Sequence, residues 1–215
     1  MAVERGRLIT IEGLDGAGKS TLARALVEAL AQRAIEVQLL REPGGAEVSE
    51  RIRELVKDPA LTVGARAEAL LYAAARAQLA EERLEPLLAA GSWVVLDRFL
   101  DSSLAYQGGG RELGVEEVRA VNLFGIGSLL PDRTLLLSLP LSLGRERRRE
   151  RADIPDRLER EDEDFFLRAA AAYEAIALAE PDRVRVLDAR SGPDELLTNA
   201  LRELSDLLAA HPRAV

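Results

Sequence analysis

The chain contains no cysteine and a single histidine, His211. Disulfides and thiolate metal sites are thereby excluded, and histidine catalysis or zinc binding has almost nothing to work with. Any metal must be held by oxygen. Lysine is nearly absent too, since Lys19 and Lys57 are the only two among 29 basic residues. No uninterrupted apolar run approaches the ~18 residues of a membrane span, so no membrane association is expected. Met1 to Gly6 is followed at once by a strand-like run, leaving no room for a basic, apolar and cleavable leader. Together with the missing cysteines, this predicts a cytoplasmic location. The formal net charge of −8 argues against binding long nucleic acid, whose affinity comes mainly from phosphate neutralisation. A nucleotide remains admissible, because it needs only a local pocket.

What is present points to one well-buried α/β domain over residues 1–215. A chain of 215 residues should hide roughly 70 to 75% of its unfolded surface. Apolar runs with strand character recur at Leu8 to Ile11, Val37 to Leu40, Trp93 to Leu96, Thr134 to Leu139 and Val184 to Leu187, with helical patterns between them. Such alternation favours a five-stranded parallel sheet covered by helices on both faces, with ligands at the carboxyl ends of the strands. The alanine-rich stretches Ala65 to Ala80 and Ala169 to Ala179 read as helices, interrupted at helical intervals by Leu, Tyr and Arg. Pro86 is expected to bend or end the first of them.

The first strand runs directly into Gly13-Leu14-Asp15-Gly16-Ala17-Gly18-Lys19-Ser20-Thr21, followed by Leu22 to Leu30 at helical spacing. Strand, glycine-rich loop and helix in that order form a P-loop. Its backbone N–H groups and the positive end of the helix dipole make a nest for polyphosphate. Lys19 adds a compact point charge that reaches between phosphates where a planar guanidinium would be bulky.

Chemistry-bearing residues also follow the other strands. Asp97, at the end of the third, is suited to the Walker B role of holding Mg²⁺ with the Ser20 hydroxyl, or alternatively to a helix cap or structural ion pair. Arg98 beside it reads as a clamp for a second phosphate group, its fork matching phosphate oxygens. Arg41 and Glu42 follow the second strand, an arginine-rich segment follows the fourth, and Asp188-Ala189-Arg190-Ser191 follows the fifth.

The segments GLDGAGKST, REPGG, LLYAAARAQ and DRFLDSSLAYQG, then DRLE and DFF after the basic segment, together resemble the thymidylate kinase family in its bacterial form. The resemblance covers almost the whole chain. It implies a three-layer α/β/α P-loop fold with a helical lid at about 142–160, and ATP-dependent phosphorylation of dTMP with Mg²⁺ as cofactor. Under it, Tyr72 occupies the place of a Phe that stacks on thymine, and Arg76 is the base-bonding arginine. Their spacing of four puts both on one helical face. Tyr106 would lie under the deoxyribose, with Ser103 and Gln107 lining the same pocket. Asp15 would bond the 3′-hydroxyl, Arg41 and Glu42 would border the acceptor, and Arg98 would hold its phosphate. Arg190 would stack on adenine.

Some family members carry a transition-state arginine inside the phosphate loop. Gly16 and Ala17 stand there in this chain, so the resemblance moves that charge to the lid, with Arg148 and Arg149 as first candidates and Arg145, Arg147, Arg151 and Arg157 as alternatives. Pro155 and the acidic run Glu159 to Asp164 mark the return of the lid to a helix. The family also implies a homodimer through the alanine-rich helices. Two other readings stay open at this stage: another deoxynucleotide kinase of the same fold, and a P-loop switch that hydrolyses nucleotide slowly. No NKxD guanine-reading motif supports the switch.

Overall fold

The computed structural model describes residues 4–151 and 156–210, with the side chain of Arg151 excepted. The expectations attached to Pro155, His211 and the Arg151 side chain lie outside the described residues. Among these residues one five-stranded sheet runs in the order β2-β3-β1-β4-β5, with every pairing parallel. Its strands are β1 (Leu8–Glu12), β2 (Val37–Arg41), β3 (Trp93–Asp97), β4 (Arg133–Ser138) and β5 (Val184–Asp188). The apolar runs locate all five. Four of them, β1, β2, β3 and β5, extend one residue past the last apolar side chain, onto Glu12, Arg41, Asp97 and Asp188. The hydrogen-bond ladder is blind to side-chain polarity, so it continues to the edge where the functional groups sit.

Parallel strands need crossovers, and these are helical. Helices α1 (Lys19–Ala31), α9 (Pro193–Glu203) and α10 (Ser205–Ala210) lie on one face, where Leu22, Leu26 and Leu30 pack with Ile9, Val95, Leu196 and Leu204. The other face carries the path α3 (Ala65–Leu79) to α4 (Glu85–Ala89), then α5 (Leu100–Ser103), α6 (Val115–Ile126) and α8 (Glu163–Ala179). Helix α2 (Glu47–Lys57) packs on α3, and α7 (Leu141–Arg151) follows β4. This is the expected three-layer α/β/α arrangement.

Two helical paths widen into π geometry, which no periodicity announced. Between α3 and α4 the widened turn covers Ala80–Leu84, just ahead of Pro86, whose ring would otherwise crowd the carbonyl four residues back. The helical path therefore continues past Pro86 instead of ending there. The second covers Leu104–Gly110 and contains Tyr106 and Gln107, consistent with the use of π turns to re-aim side chains at sites. Helix α8 begins inside the acidic run, its first turn capped by Asp162, which accepts from the Phe165 N–H at 2.8 Å.

Candidate active site

Consecutive strands leave β1 toward opposite sides of the sheet, and at that switch point a cavity of about 610 Å³ opens beyond the strand ends. The loop from Gly13 to Gly18 forms its floor. Gly16 adopts φ +87°, and a Cβ there would come within 2.3 Å of the Gly144 carbonyl oxygen in the first turn of α7. Only a residue without a side chain fits that approach. Lys19 opens α1, where its Nζ donates to the Leu14 carbonyl at 2.9 Å and lies 3.6 Å from Asp15. Burial and the nearby Arg98 push the Lys19 ammonium down to about 8, with Asp15 opposing.

The Ser20 hydroxyl donates to Asp97 at 2.6 Å, pairing the two expected oxygen ligands at the mouth of the loop. No group of three or more His, Cys, Asp or Glu side chains suited to a metal occurs among the described residues. One hydroxyl and one carboxylate fit a hard cation that takes its remaining ligands from water and substrate phosphates, as Mg²⁺ does.

Arg98 is constrained in both its backbone and its side chain. Its backbone stands at φ +70°, a left-handed conformation that costs a non-glycine residue about 1–3 kcal/mol and is concentrated at functional sites. Its Nη1 donates to the Gly13 carbonyl at 3.1 Å and the Ser102 hydroxyl at 3.0 Å, and its Nη2 donates to Asp15 at 2.5 Å. The guanidinium carbon lies 5.1 Å from the Tyr106 ring centroid. Tyr106 in turn donates to the other Asp15 oxygen at 3.2 Å. Burial alone would raise the Asp15 pKa, but Arg98 and Lys19 outweigh it and hold this carboxyl far below the usual range. Asp15, Arg98 and Tyr106 therefore act as one rigid charged unit against the phosphate loop.

Tyr72 and Arg76 both reach the cavity from α3. Tyr72 is half-buried, whereas Arg76 is fully buried and its donors are already engaged. Its Nε donates to Glu42 at 2.8 Å, Nη1 to the Ser103 hydroxyl at 2.9 Å and to the Asn122 amide oxygen, and Nη2 to the Phe99 carbonyl at 2.8 Å. A base carbonyl would have to share or displace one of these partners. Burial pushes Glu42 up to about 7 against the pull of Arg76. Gln107 also lines the cavity, with its amide donating to the buried Glu68 at 2.9 Å. Arg41 stays exposed at the rim, 3.4 Å from Glu50.

Among the described side chains of the arginines proposed for the lid, Arg148 alone lines this cavity. It rests 5.8 Å from the Phe166 ring and 3.9 Å from Glu159. Arg149 points to solvent. Arg145 pairs with Glu163, Arg147 donates to the Ala189 carbonyl, and Arg157 lies against Glu68. Arg190 folds back on its own loop, making a two-pronged pair with Asp188 that holds the carboxyl down at about 2.

The residue patterns missed several participants. Glu12, fully buried, accepts from the Phe99 and Ser102 N–H groups at 2.7 and 3.2 Å and from the Ser102 and Tyr173 hydroxyls at 2.6 and 2.8 Å. Its place between an apolar strand and a phosphate loop was a usable signal, because an acid there is hard to solvate. Glu68 was also readable, since 68, 72 and 76 share one helical face. Nothing in the sequence ties Tyr173 to residue 12.

A glycine-rich loop at a strand–helix junction, a Ser–Asp oxygen pair beside it, and a second fixed arginine across the cavity define a P-loop phosphotransferase. A family model described as thymidylate kinase matches residues 11–199. A thymidylate kinase from Rhizorhabdus wittichii is 47% identical over 206 residues, covering 94% of this chain and 99% of its own. Those from Chromobacterium violaceum and Oenococcus oeni are 45% and 44% identical, over 96% of this chain and 97% and 98% of theirs. The chain belongs to the thymidylate kinase family.

Proposed function

We propose that the chain transfers the γ-phosphoryl group of ATP to dTMP. The bond from the γ-phosphorus to the β,γ-bridging oxygen breaks, a bond from an acceptor phosphate oxygen forms, and ADP and dTDP leave. The observation that carries this reading is Arg98, locked between Gly13, Asp15 and Ser102 and facing the same cavity as Lys19. A phosphate gripped there sits beside a donor phosphate cradled by the backbone from Gly13 to Thr21. Fixed donors of this kind need no reorganisation as charge moves. The acceptor oxygen is already ionised, so no general base is required.

Mg²⁺ held by Ser20 and Asp97 would supply neutralising charge across the donor phosphates. Tyr72 offers its ring to the base, Arg76 and Ser103 set the polar edge of that slot, and the Tyr106 ring with Asp15 bounds the sugar. Arg148 is positioned to neutralise the transferring group. Arg41, Glu42 and Gln107 border the acceptor, Arg190 is available to the adenine, and Arg149 stands in reserve on α7. The described segments of 142–160 serve as the lid.

A coupled assay across deoxynucleoside monophosphates tests the reading, with kcat/KM for dTMP expected to exceed that for dCMP or dGMP by at least about tenfold. Equal or better turnover of either would overturn it. We also propose a homodimer through the apolar faces of the alanine-rich helices α3 and α8, where Leu70 and Leu178 are exposed, with α6 adding Val121 and the 95% exposed Phe124. Light scattering that returned a monomer at working concentration would remove that part.

A further inference from the structure

Glu68 belongs to no motif, yet its side chain is fully buried and is shared by three elements. One oxygen accepts from the Gln107 amide at 2.9 Å and from Arg111 Nε at 3.2 Å. The other accepts from Arg111 Nη2 at 3.0 Å and lies 2.7 Å from Arg157 Nη2. Gln107 lines the acceptor cavity, whereas Arg157 belongs to the described segment from residue 156, whose Glu159 lies 3.9 Å from Arg148 of the arginine helix α7.

That segment is fastened to the acceptor side at further points. Arg157 Nε donates to the Val56 carbonyl at 3.0 Å and its backbone N–H to the Lys57 carbonyl at 3.3 Å. A cation at the carbonyl end of α2 is also favoured by the helix dipole. Lys57 pairs with Asp156 at 2.8 Å, and Arg111 joins Glu161 at 2.6 Å. Within this set Glu68 is the one group that touches both the cavity amide and the returning segment.

We propose that Glu68 is a positioning residue that couples occupation of the acceptor pocket, through Gln107, to the posture of the arginine helix, through Arg157. It touches no substrate. A shift of Gln107 on ligand binding changes the acceptor geometry at one carboxylate oxygen, and the rigid carboxylate passes the change to the ion pair on the other. The inference rests on the proposed acceptor.

The test uses the full-length protein and the isosteric Glu68→Gln. Trypsin cleavage within α7, followed by mass spectrometry, is expected to slow when wild-type protein is saturated with dTMP. In Glu68→Gln that protection should be lost, and kcat should fall about tenfold to a hundredfold, as expected for misplacement near ~1 Å, with KM for ATP unchanged. Adding Arg157→Gln to Glu68→Gln should lower kcat little further, since both cut one link. Retained dTMP protection with wild-type kcat, or fully multiplicative effects in the double variant, would overturn the coupling. If Glu68→Gln fails to fold by circular dichroism, Arg157→Gln alone carries the test: lost protection supports the link and retained protection overturns it. Wild-type protein that turns over a different monophosphate would refute the proposed acceptor, and the protection experiment is then run with that nucleotide.

Discussion

The arginines fixed inside the cavity are held differently from those on α7 and the last loop outside it. On the acceptor side, Arg76 and Arg98 are buried or nearly so, and each is fixed by at least three protein acceptors. Outside the cavity lining, Arg145, Arg147 and Arg190 rest on single carbonyls or on partly exposed carboxylates, and Arg149 faces water. Ion pairs of the second kind are worth little, about 0–1 kcal/mol, so they are readily exchanged for a phosphate. Arg76 and Arg98 are preorganised, as the proposed acceptor site requires; the outer arginines are transferable, as a proposed supply of charge to the donor would require. Arg148 stands between these classes, partly buried against Phe166 and still facing the loop.

The sharpest way to break that contrast is to remove the intermediate case. Arg148→Ala is expected to lower kcat by about 10³, the low end for a transition-state arginine, while Arg149→Ala should change it less than about tenfold. Single-turnover phosphoryl transfer measures both, and the reverse order would move the catalytic charge to the exposed arginine. Next in size, Arg98→Ala should raise KM for dTMP by about a hundredfold and leave ATP affinity within about twofold, read by steady-state kinetics and calorimetry. Comparable losses for both ligands would mean that Arg98 serves the donor as well.

The smallest effect concerns Lys19. Its folded-state pKa is lowered to about 8 from an ordinary 10.5, so the free protein is partly deprotonated where an unfolded chain still holds that proton. Stability from this group accordingly rises between about pH 8 and 10.5. A polyphosphate in the loop pulls the pKa back up, so ATP binding near pH 8.5 should take up a fraction of a proton. Calorimetry in buffers of different ionisation enthalpy detects it, and Lys19→Met should abolish it.

The inner strands were legible because buried parallel strands must be apolar runs, and Leu8 to Ile11 or Trp93 to Leu96 have no other plausible use. The phosphate loop was legible because its chemistry is contiguous. Legibility failed where a contact spans the chain: Glu12 and Tyr173 stand 161 positions apart, and nothing local records their bond. It also failed where one side chain has two possible employers. The spacing of Tyr72 and Arg76 put them on one face, but could not tell that Arg76 spends its donors on Glu42, Ser103, Asn122 and Phe99.

A Cβ at residue 16 would stand 2.3 Å from the Gly144 carbonyl, so a side chain in the phosphate loop and the first turn of α7 compete for one volume. An arginine could enter the phosphate loop only if α7 first withdrew, and a withdrawn α7 would carry Arg148 off the cavity. The two ways of delivering the transition-state charge therefore occupy the same volume. An arginine at residue 16 and the present seat of α7 are thus alternatives within one fold.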